Sequence, residues 1–346
     1  MGAFFLFSHQ RPVITASQVV GQAYFLSSGQ VGKDGILGID DELLVDLHNL
    51  SNPSPGKSYY TWLLSDTSQS DWRPVLLGPL PVTRGVAHSL YTNPQHTNLL
   101  GLASRFLITE EDANINPTNP SPTAWHYYAE IPLNIVAHMR YLLVNDPMIK
   151  EGGGLDTRLF RNTQQVFEWA GSARSYWMSK STGLMRAQFI RILEYLKGPS
   201  AIGTDLPFNI QLPTQPPSVA LLGSATASQD SPDFLHAIGG HVTAMAQASD
   251  STSNIRTRAN YINVAINNIT SSLERVYQDT KALYPMTNQE LLQPQALALL
   301  NDLDSQAFYA YVGQLDPTTN QVEPGVVQLH NNIQLLATFD ITLYKS

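Results

Sequence analysis

The sequence predicts an α+β protein of two parts, an N-terminal antiparallel β-sandwich followed by a helical bundle with one long heptad-patterned helix. Residues 13–112 contain several short β-rich segments separated by turn residues, and residues 43–48 have the period of two that strands have. A stretch rich in proline and asparagine follows, and beyond it apolar residues recur at helical spacing. We therefore expect an apolar segment over residues 1–12, a sandwich over 13–112, a linker over 113–124 and a helical domain over 125–346.

The sandwich is predicted from short strand-like segments that turn residues separate. Leu43, Val45 and Leu47 occupy every second position, which places them on one face of a strand. Residues 59–64, Tyr-Tyr-Thr-Trp-Leu-Leu, are rich in the aromatic types that strands favour. Further strand candidates share this character: residues 16–26, 75–77, 86–90 and 99–108. Several short strands at this spacing are typical of an antiparallel sandwich.

The change from strands to helices is placed at residues 114–123, which contain three prolines and three asparagines. Proline removes a backbone donor and favours extended or turn conformations. The clearest helix follows over residues 253–284, where apolar positions alternate four and three apart. Its stripe consists of Ile255, Ala259, Ile262, Ile266, Ile269, Leu273, Val276, Thr280 and Leu283. Thr287 and Glu290 have the spacing of a capping box and predict the start of another helix.

Composition excludes several classes of function. The net charge is −8 and the 20 basic residues are scattered, whereas a nucleic-acid site needs clustered lysine and arginine. There are no cysteines, which excludes thiolate metal sites and cysteine nucleophiles. Charged residues make up 14% of the chain, against roughly 25% in an average soluble protein. This polar but weakly charged balance favours a secreted or cell-surface protein.

The first residues are apolar and include Phe4, Phe5 and Phe7. The segment is too short to span a bilayer, which takes about 20 residues, and it lacks the basic start of a signal peptide. Two interpretations follow. It is either an ordinary N-terminal strand or chain end, or the outer end of a transmembrane anchor that continues N-terminal to this chain.

Within residues 47–111 the pattern resembles the extracytoplasmic domain of anti-sigma-K factors. The sequence Gly-Lys-Ser-Tyr over residues 56–59 leads into Trp62, as in that family's core strand, and residues 74–78 resemble its glycine-containing hairpin. The resemblance implies a β-sandwich outside the membrane, in which Trp62 fills the interior while Gly56 and Gly78 relieve turns. That family's zinc-binding segment needs cysteine, which this chain lacks, and the helical part lies outside the pattern.

The sequence contains several candidate chemical sites. Glycines 152–154 before Asp156 could surround an anion at a helix start, but they lack the Lys-Ser/Thr ending of a P-loop, which favours a hinge with Asp156 as N-cap. His236 and His241 are five apart, not the three or four of a helical ligand pair. His88 and His96 could approach each other across a hairpin, although the sequence suggests no carboxylate partner for them.

The acidic positions also favour ordinary structural roles. The stretch 33–42 supplies four carboxylates without EF-hand spacing, so an acidic turn is the simpler interpretation than a calcium loop. Glu130, Glu168 and Glu194 fall on separate elements with no matching histidines, which favours surface carboxylates. Hydrolase motifs are missing. We therefore assign no catalytic, cofactor-binding or metal-binding residue.

The remaining candidates are aromatic. Trp125, Tyr127 and Tyr128 begin the second part of the chain, and they are either packing residues or a recognition patch for a partner or a sugar. The sequence thus predicts a non-enzymatic, extracytoplasmic binding or interaction module whose partner is another protein or itself. One alternative is a structural surface protein that assembles through Phe4, Phe5 and Phe7 by strand addition. Another is an enzyme without a short motif, working from the helical domain.

Overall fold

A computed structural model describes residues 18–30, 39–67, 74–198, 217–223 and 233–345. Within them the chain is a mixed α+β protein, as the sequence predicts. The strands are β1 (Val19–Leu26), β2 (Glu42–Leu47), β3 (Lys57–Leu64), β4 (Val75–Leu80), β5 (Ala87–Thr92), β6 (Arg105–Asp112), β7 (Trp125–Glu130), β8 (Gln314–Leu315), β9 (Val322–Glu323) and β10 (Thr338–Leu343).

The described strands form one large antiparallel sheet and a small hairpin. The large sheet has eight strands in the order β4-β3-β6-β7-β10-β1-β2-β5, and β8 pairs only with β9. The two edge strands of this sheet, β4 and β5, approach each other, so that the sheet nearly closes into a barrel. The two packed sheets of the expected sandwich are not confirmed. The predicted alternation in β2 is confirmed, because Leu43, Val45 and Leu47 are all buried.

Two strands of this sheet lie in the region that the sequence assigned to helices. Strand β7 pairs with β6, and β10 lies between β7 and β1. Residues 113–124 therefore connect two neighbouring strands of one sheet, where the sequence indicated a linker between domains. Pro117 and Pro120 are buried, and the Ser121 backbone N–H donates to Glu111 Oε1 at 2.9 Å. Two of the three prolines that suggested a linker are thus buried in a loop between neighbouring strands.

The helices in the described part of the chain follow β7 and precede β10. In chain order they are α1 (Leu133–Leu143), α2 (Leu155–Met178), α3 (Thr182–Lys197), α4 (Phe234–Gln247), α5 (Ser253–Leu283), α6 (Asn288–Leu291), α7 (Pro294–Val312) and α8 (Val326–Gln334). None of these helices combines the length and the hydrophobicity that a bilayer-spanning segment needs. The long helix α5 carries the predicted heptad stripe, and eight of its nine positions are buried. Thr252 caps its start by accepting from the Ile255 backbone N–H.

A single continuous core joins the sheet to the helices. It includes Phe25 and Phe339 from the sheet together with Leu159 from α2 and Ile262 from α5. A second, smaller core lies on the opposite face of β3 and β6. Arg140 of α1 ties the two layers together through two hydrogen bonds, at 2.6 and 2.8 Å, to the Asp66 carboxylate after β3. The helices thus pack against one face of the sheet. The opposite face of β3 and β6 carries the smaller core, and a candidate binding surface lies beside it.

Candidate binding surface on the sheet

A β-bulge in β7 determines which of its side chains face away from the main core. Tyr128 pairs with Leu107 and Tyr127 with Ile108, but Trp125 pairs with Thr109. His126 is therefore the extra residue, and it shifts the alternation of side chains by one. Without this bulge, Trp125 would share the face of Tyr127. With it, Trp125 and Tyr128 lie on the same face.

Three aromatic rings meet on this face and form what we call the aromatic surface: Trp125, Tyr128 and Tyr344. The rings of Trp125 and Tyr128 are stacked, with centroids 5.8 Å apart and planes inclined by 19°. Tyr344 follows β10, and its ring centroid lies 5.0 Å from Trp125 and 6.0 Å from Tyr128. Its backbone N–H donates to the His126 carbonyl at 2.9 Å. All three rings are half-buried, so part of each ring remains accessible.

The aromatic surface rests on buried side chains from the neighbouring strands. Tyr60, Trp62, Leu64 and Leu107 form the smaller core, and Trp125 and Tyr128 pack against it. The Trp62 indole N–H donates to Thr109 Oγ1 at 2.9 Å. Trp62 is fully buried, and it lies in this smaller core, on the face of β3 opposite the main core. These contacts hold the outer rings in place.

Only part of the predicted interaction set lies together. Trp125 and Tyr128 meet on the aromatic surface, whereas Tyr127 points into the main core, where its ring lies 6.0 Å from that of Tyr59. Phe4, Phe5 and Phe7 lie outside the residues that the structure describes. Tyr344 was not predicted from the sequence. It follows β10, which joins the sheet from the C-terminal end of the chain.

A polar cleft of about 310 Å³ adjoins the aromatic surface, and Trp125 lines both. The other side chains of the cleft come from β3, β6, β7 and the loop between β6 and β7: Lys57, Glu110, Glu111, Ser121, Thr123 and His126. They include carboxylates that accept, an ammonium that donates, and hydroxyl and imidazole groups that do either. The cleft thus presents hydrogen-bonding groups of both kinds beside a flat aromatic ring.

Hydrogen bonds and burial set the charge of two titratable side chains beside the cleft, Glu110 and Tyr128. The Ser54 backbone N–H donates to Glu110 and lowers the pKa of that carboxyl. Tyr128 donates its hydroxyl to Glu130 Oε2 at 2.8 Å, and burial together with this carboxylate raises the pKa of Tyr128. Glu110 is therefore ionised and Tyr128 is neutral over the physiological range of pH.

The glycine and histidine candidates have structural partners of their own. The N-cap of α2 is Gly154, and Asp156 is a buried residue of the first turn, which corrects its assignment as the cap. His236 Nδ1 lies 2.6 Å from Asp233, while His241 Nδ1 lies 2.8 Å from His138 Nδ1. The two histidines that the sequence paired therefore belong to separate contacts.

His88 and His96 each lie beside a carboxylate, which the sequence did not reveal. His88 is exposed, with Nδ1 3.7 Å from Asp46, and His96 Nδ1 lies 2.7 Å from the buried Asp41. Among the described residues, no three histidine or carboxylate side chains are arranged to hold a metal ion. Of the proposed acidic turn, residues 33–38 lie outside the described part.

The three glutamates that were considered together have different surroundings. Glu130 is bonded to Tyr128, and Glu168 accepts from the Gln164 side chain at 3.0 Å. Glu194 is buried in α3, and burial raises its pKa to about 7. Nothing in these contacts brings the three carboxyl groups into a common site.

A second concavity lies between α4 and α5 and consists of adjoining cavities of about 300 and 640 Å³. His236 lines both, and its exposed ring is held by Asp233, the N-cap of α4. Gly239 and Gly240 leave room along the helix, and they are the one local signal that could have indicated this groove. The Asp233–His236 contact is explained by helix capping.

Comparison with known protein families, with curated proteins and with solved structures returned no match. The function of this chain is therefore inferred from the geometry of its own residues.

Proposed function

We propose that this chain is a non-enzymatic binding module that acts outside the cytoplasm and binds polysaccharide on the aromatic surface. The observation that carries the proposal is the position of Trp125, which belongs both to the stacked aromatic surface and to the polar cleft. Sugar rings have one face of C–H groups, which packs on an aromatic ring, and a rim of hydroxyls, which needs donors and acceptors nearby. Both kinds of contact are available here within a few residues.

The state of the Trp125 indole supports a role in recognition. Its Nε1 is buried and has no hydrogen-bond partner among the described residues. A buried donor without a partner costs roughly 1–3 kcal/mol. In the free protein this indole N–H therefore offsets part of the stability that packing of the Trp125 ring contributes. A broad indole face beside a polar cleft suits a ring that contacts a ligand.

The carboxylates of the cleft fit binding better than hydrolysis. A glycosidase needs one carboxyl group that keeps its proton in order to protonate the leaving group. Glu110 has a lowered pKa because the Ser54 N–H donates to it, and Glu111 accepts from the Ser121 N–H at 2.9 Å. Both carboxylates are arranged as acceptors. We infer that they bind sugar hydroxyls and do not transfer protons.

The location outside the cytoplasm rests on the resemblance of residues 47–111 to the extracytoplasmic domain of anti-sigma-K factors and on the low content of charged residues, 14%. Proteinase treatment of intact cells that produce the chain from its native gene tests this part. Degradation without lysis is expected. Protection in intact cells, with degradation after lysis, would contradict the location and leave the binding proposal standing.

The binding proposal is tested by retention of the purified chain on cellulose, chitin, curdlan and purified peptidoglycan. We expect at least one of these polysaccharides to retain it. Trp125→Ala should then weaken retention about tenfold, since the loss of one stacked aromatic contact, on the order of 1.4 kcal/mol, corresponds to that factor. Tyr261→Ala is the matched control, because Tyr261 is a 62% exposed aromatic residue on α5, outside the sheet.

Circular dichroism of each variant separates a loss of binding from a loss of fold. Retention by none of the polysaccharides, or equal retention of the Trp125→Ala variant and the wild type, would overturn the proposal. A protein partner captured in the same way by Trp125 would also contradict the assignment of polysaccharide as the ligand.

A further inference from the structure

The surface between α4 and α5 has a groove that the proposed polysaccharide site does not use. It consists of the two adjoining cavities of about 300 and 640 Å³, both lined by His236. Two glycines of α4 keep the groove open. A Cβ atom at Gly239 would lie 3.6 Å from Ile266 of α5, and one at Gly240 would meet no atom within 4 Å. The two packed helices thus leave a channel between them.

The α5 wall of this groove is a row of polar side chains at helical spacing. Four residues contribute to it, each three or four positions after the last: Asn263, Asn267, Thr270 and Glu274. They cover about 16 Å of the helix axis, which is the length of about five residues of an extended peptide. The two asparagine side chains are exposed and have no hydrogen-bond partner among the described residues. The wall therefore presents amide groups that a ligand can use.

The spacing of Asn263 and Asn267 matches the repeat of an extended peptide. Residues four apart in a helix lie on the same face and are separated by about 6 Å along its axis. In an extended chain every second residue faces the same side, and two residues advance by about 6.6 Å. A side-chain amide both donates and accepts. The two amides can therefore pair with alternate residues of one peptide backbone.

The charged side chains of the groove lie at one end of it. Among its described lining residues the larger cavity has no lysine, arginine, aspartate or glutamate, whereas the smaller one has Lys197, Asp233 and Glu274. The Lys197 ammonium donates to the Gly223 carbonyl at 3.0 Å. Asp233 Oδ2 lies 2.6 Å from His236 Nδ1. Glu274 is exposed and makes no ion pair with a described residue, so its charge can attract a cationic group of a ligand.

We propose that this groove binds an extended peptide segment of a partner protein, about five residues long, with a basic residue at the Glu274 end. Asn263 and Asn267 pair with its backbone. An apolar side chain of the segment packs on Leu235 and Ile266, which line the larger cavity. The site is separate from the aromatic surface on the sheet, and it does not depend on polysaccharide binding there.

Two other kinds of ligand fit the groove less well. An amphipathic helix satisfies its own backbone groups, so it would cover Asn263 and Asn267 without offering them partners, which is unfavourable. A sugar packs on a flat aromatic ring, and none of the described residues that line the groove is tryptophan, tyrosine or phenylalanine. An extended peptide has backbone N–H and C=O groups to share at every residue other than proline, which suits the row of amides.

A phage-displayed library of random peptides supplies the probe. Peptides are selected on the full chain and counter-selected on Gly240→Gln, whose side chain occupies the groove and favours the helix. Gly183→Gln on α3 is the matched control, since a Cβ atom there also meets no atom within 4 Å. We expect peptides with lysine or arginine at one end that bind the wild type and the control equally. They should bind Gly240→Gln about tenfold more weakly or worse. Failure to recover such peptides would overturn the proposal.

Recognition of the backbone is tested with a selected peptide that carries one N-methyl group at each position in turn. Methylation should weaken binding about tenfold at alternate positions, because it removes a donor to Asn263 or Asn267. Methylation without effect at any position, or with the same effect at every position, would contradict the amide row.

Asn267→Ala should weaken binding of the same peptide by a similar factor. Asn268→Ala is the matched control and should not, because residue 268 points about 100° away around the helix. Urea unfolding of each variant separates a loss of binding from a loss of fold. Equal losses for the two variants would overturn the proposal, and so would a loss of polysaccharide retention in Gly240→Gln, which would assign the groove to a sugar.

Discussion

Trp62 and Trp125 lie on the same face of the sheet and pack in one small core, but only Trp62 has a described hydrogen-bond partner for its indole N–H, Thr109 at 2.9 Å. The two tryptophans therefore have different costs of replacement. Trp62→Phe should lower the free energy of unfolding by about 1–3 kcal/mol. It removes the hydrogen bond that Thr109 Oγ1 accepts, and the smaller ring leaves a cavity in the core. Trp125→Phe should cost less than about 1 kcal/mol, because it also removes an unpaired donor. Urea unfolding measures both, and equal costs would contradict the difference in bonding.

Gly154 is required for close packing at the start of α2. A Cβ atom there would overlap the Leu142 carbonyl, whereas one at Gly183 in α3 would meet no atom within 4 Å. We expect Gly154→Ala to destabilise the protein by about 1–3 kcal/mol, the usual cost of overpacking. Gly183→Ala, the matched control, should be neutral or stabilising by up to about 1 kcal/mol. Thermal unfolding of the two variants compares them, and similar melting temperatures would show that this contact is not tight.

The Arg140–Asp66 pair predicts an acid-sensitive contact between α1 and the sheet. Hydrogen bonds from Arg140 lower the pKa of Asp66, so its stabilisation is present above the unfolded pKa near 4 and is lost as the pH falls further. Asp66→Asn should cost about 1.5–3 kcal/mol near pH 7. The cost should shrink near pH 3, because wild-type Asp66 is then losing its charge too. Unfolding curves at the two pH values check this, and a cost independent of pH would contradict it.

His138 and His241 form a contact that weakens as the pH falls. Their Nδ1 atoms are 2.8 Å apart, so one ring must be neutral in order to accept. Burial and the neighbouring His138 lower the pKa of His241, and stability is therefore lost as the pH falls below about 6.5. His138→Gln removes the opposing ring and should flatten this loss. An unchanged slope between about pH 7 and pH 5 would show that the pair does not titrate as described.

Local periodicity predicted the elements whose structure depends on nearby residues. The stripe from Ile255 to Leu283 predicted α5 to within a residue, and Thr287 and Glu290 form the capping box that their spacing indicated. In both cases the decisive contacts lie within a few positions of each other. Ile266 is the exception in the stripe, since it is half-buried and lines the groove beside α4.

Contacts between distant residues could not be predicted in this way. Strand β10 pairs with β1 from the other end of the chain, and no local pattern signals a partner so far away. The same reason explains why Tyr344 and the Asp156–His330 contact were missed, the latter joining residues 174 positions apart. The face of Trp125 depended on a bulge at His126. For the candidate site, the sequence indicated which residue types occur in β7, but it could not indicate which face of the sheet each side chain occupies.

The most direct test of the central claim follows the indole N–H signals of the protein by NMR while a soluble oligosaccharide of the retained polysaccharide is added. The chain has five tryptophans, and Trp125→Phe, Trp62→Phe, Trp169→Phe and Trp177→Phe assign four of the signals. If the aromatic surface binds the sugar, the Trp125 signal shifts with saturation, and those of Trp169 and Trp177 on α2 stay in place. A Trp125 signal that remains fixed while the α2 signals move would contradict the proposed surface.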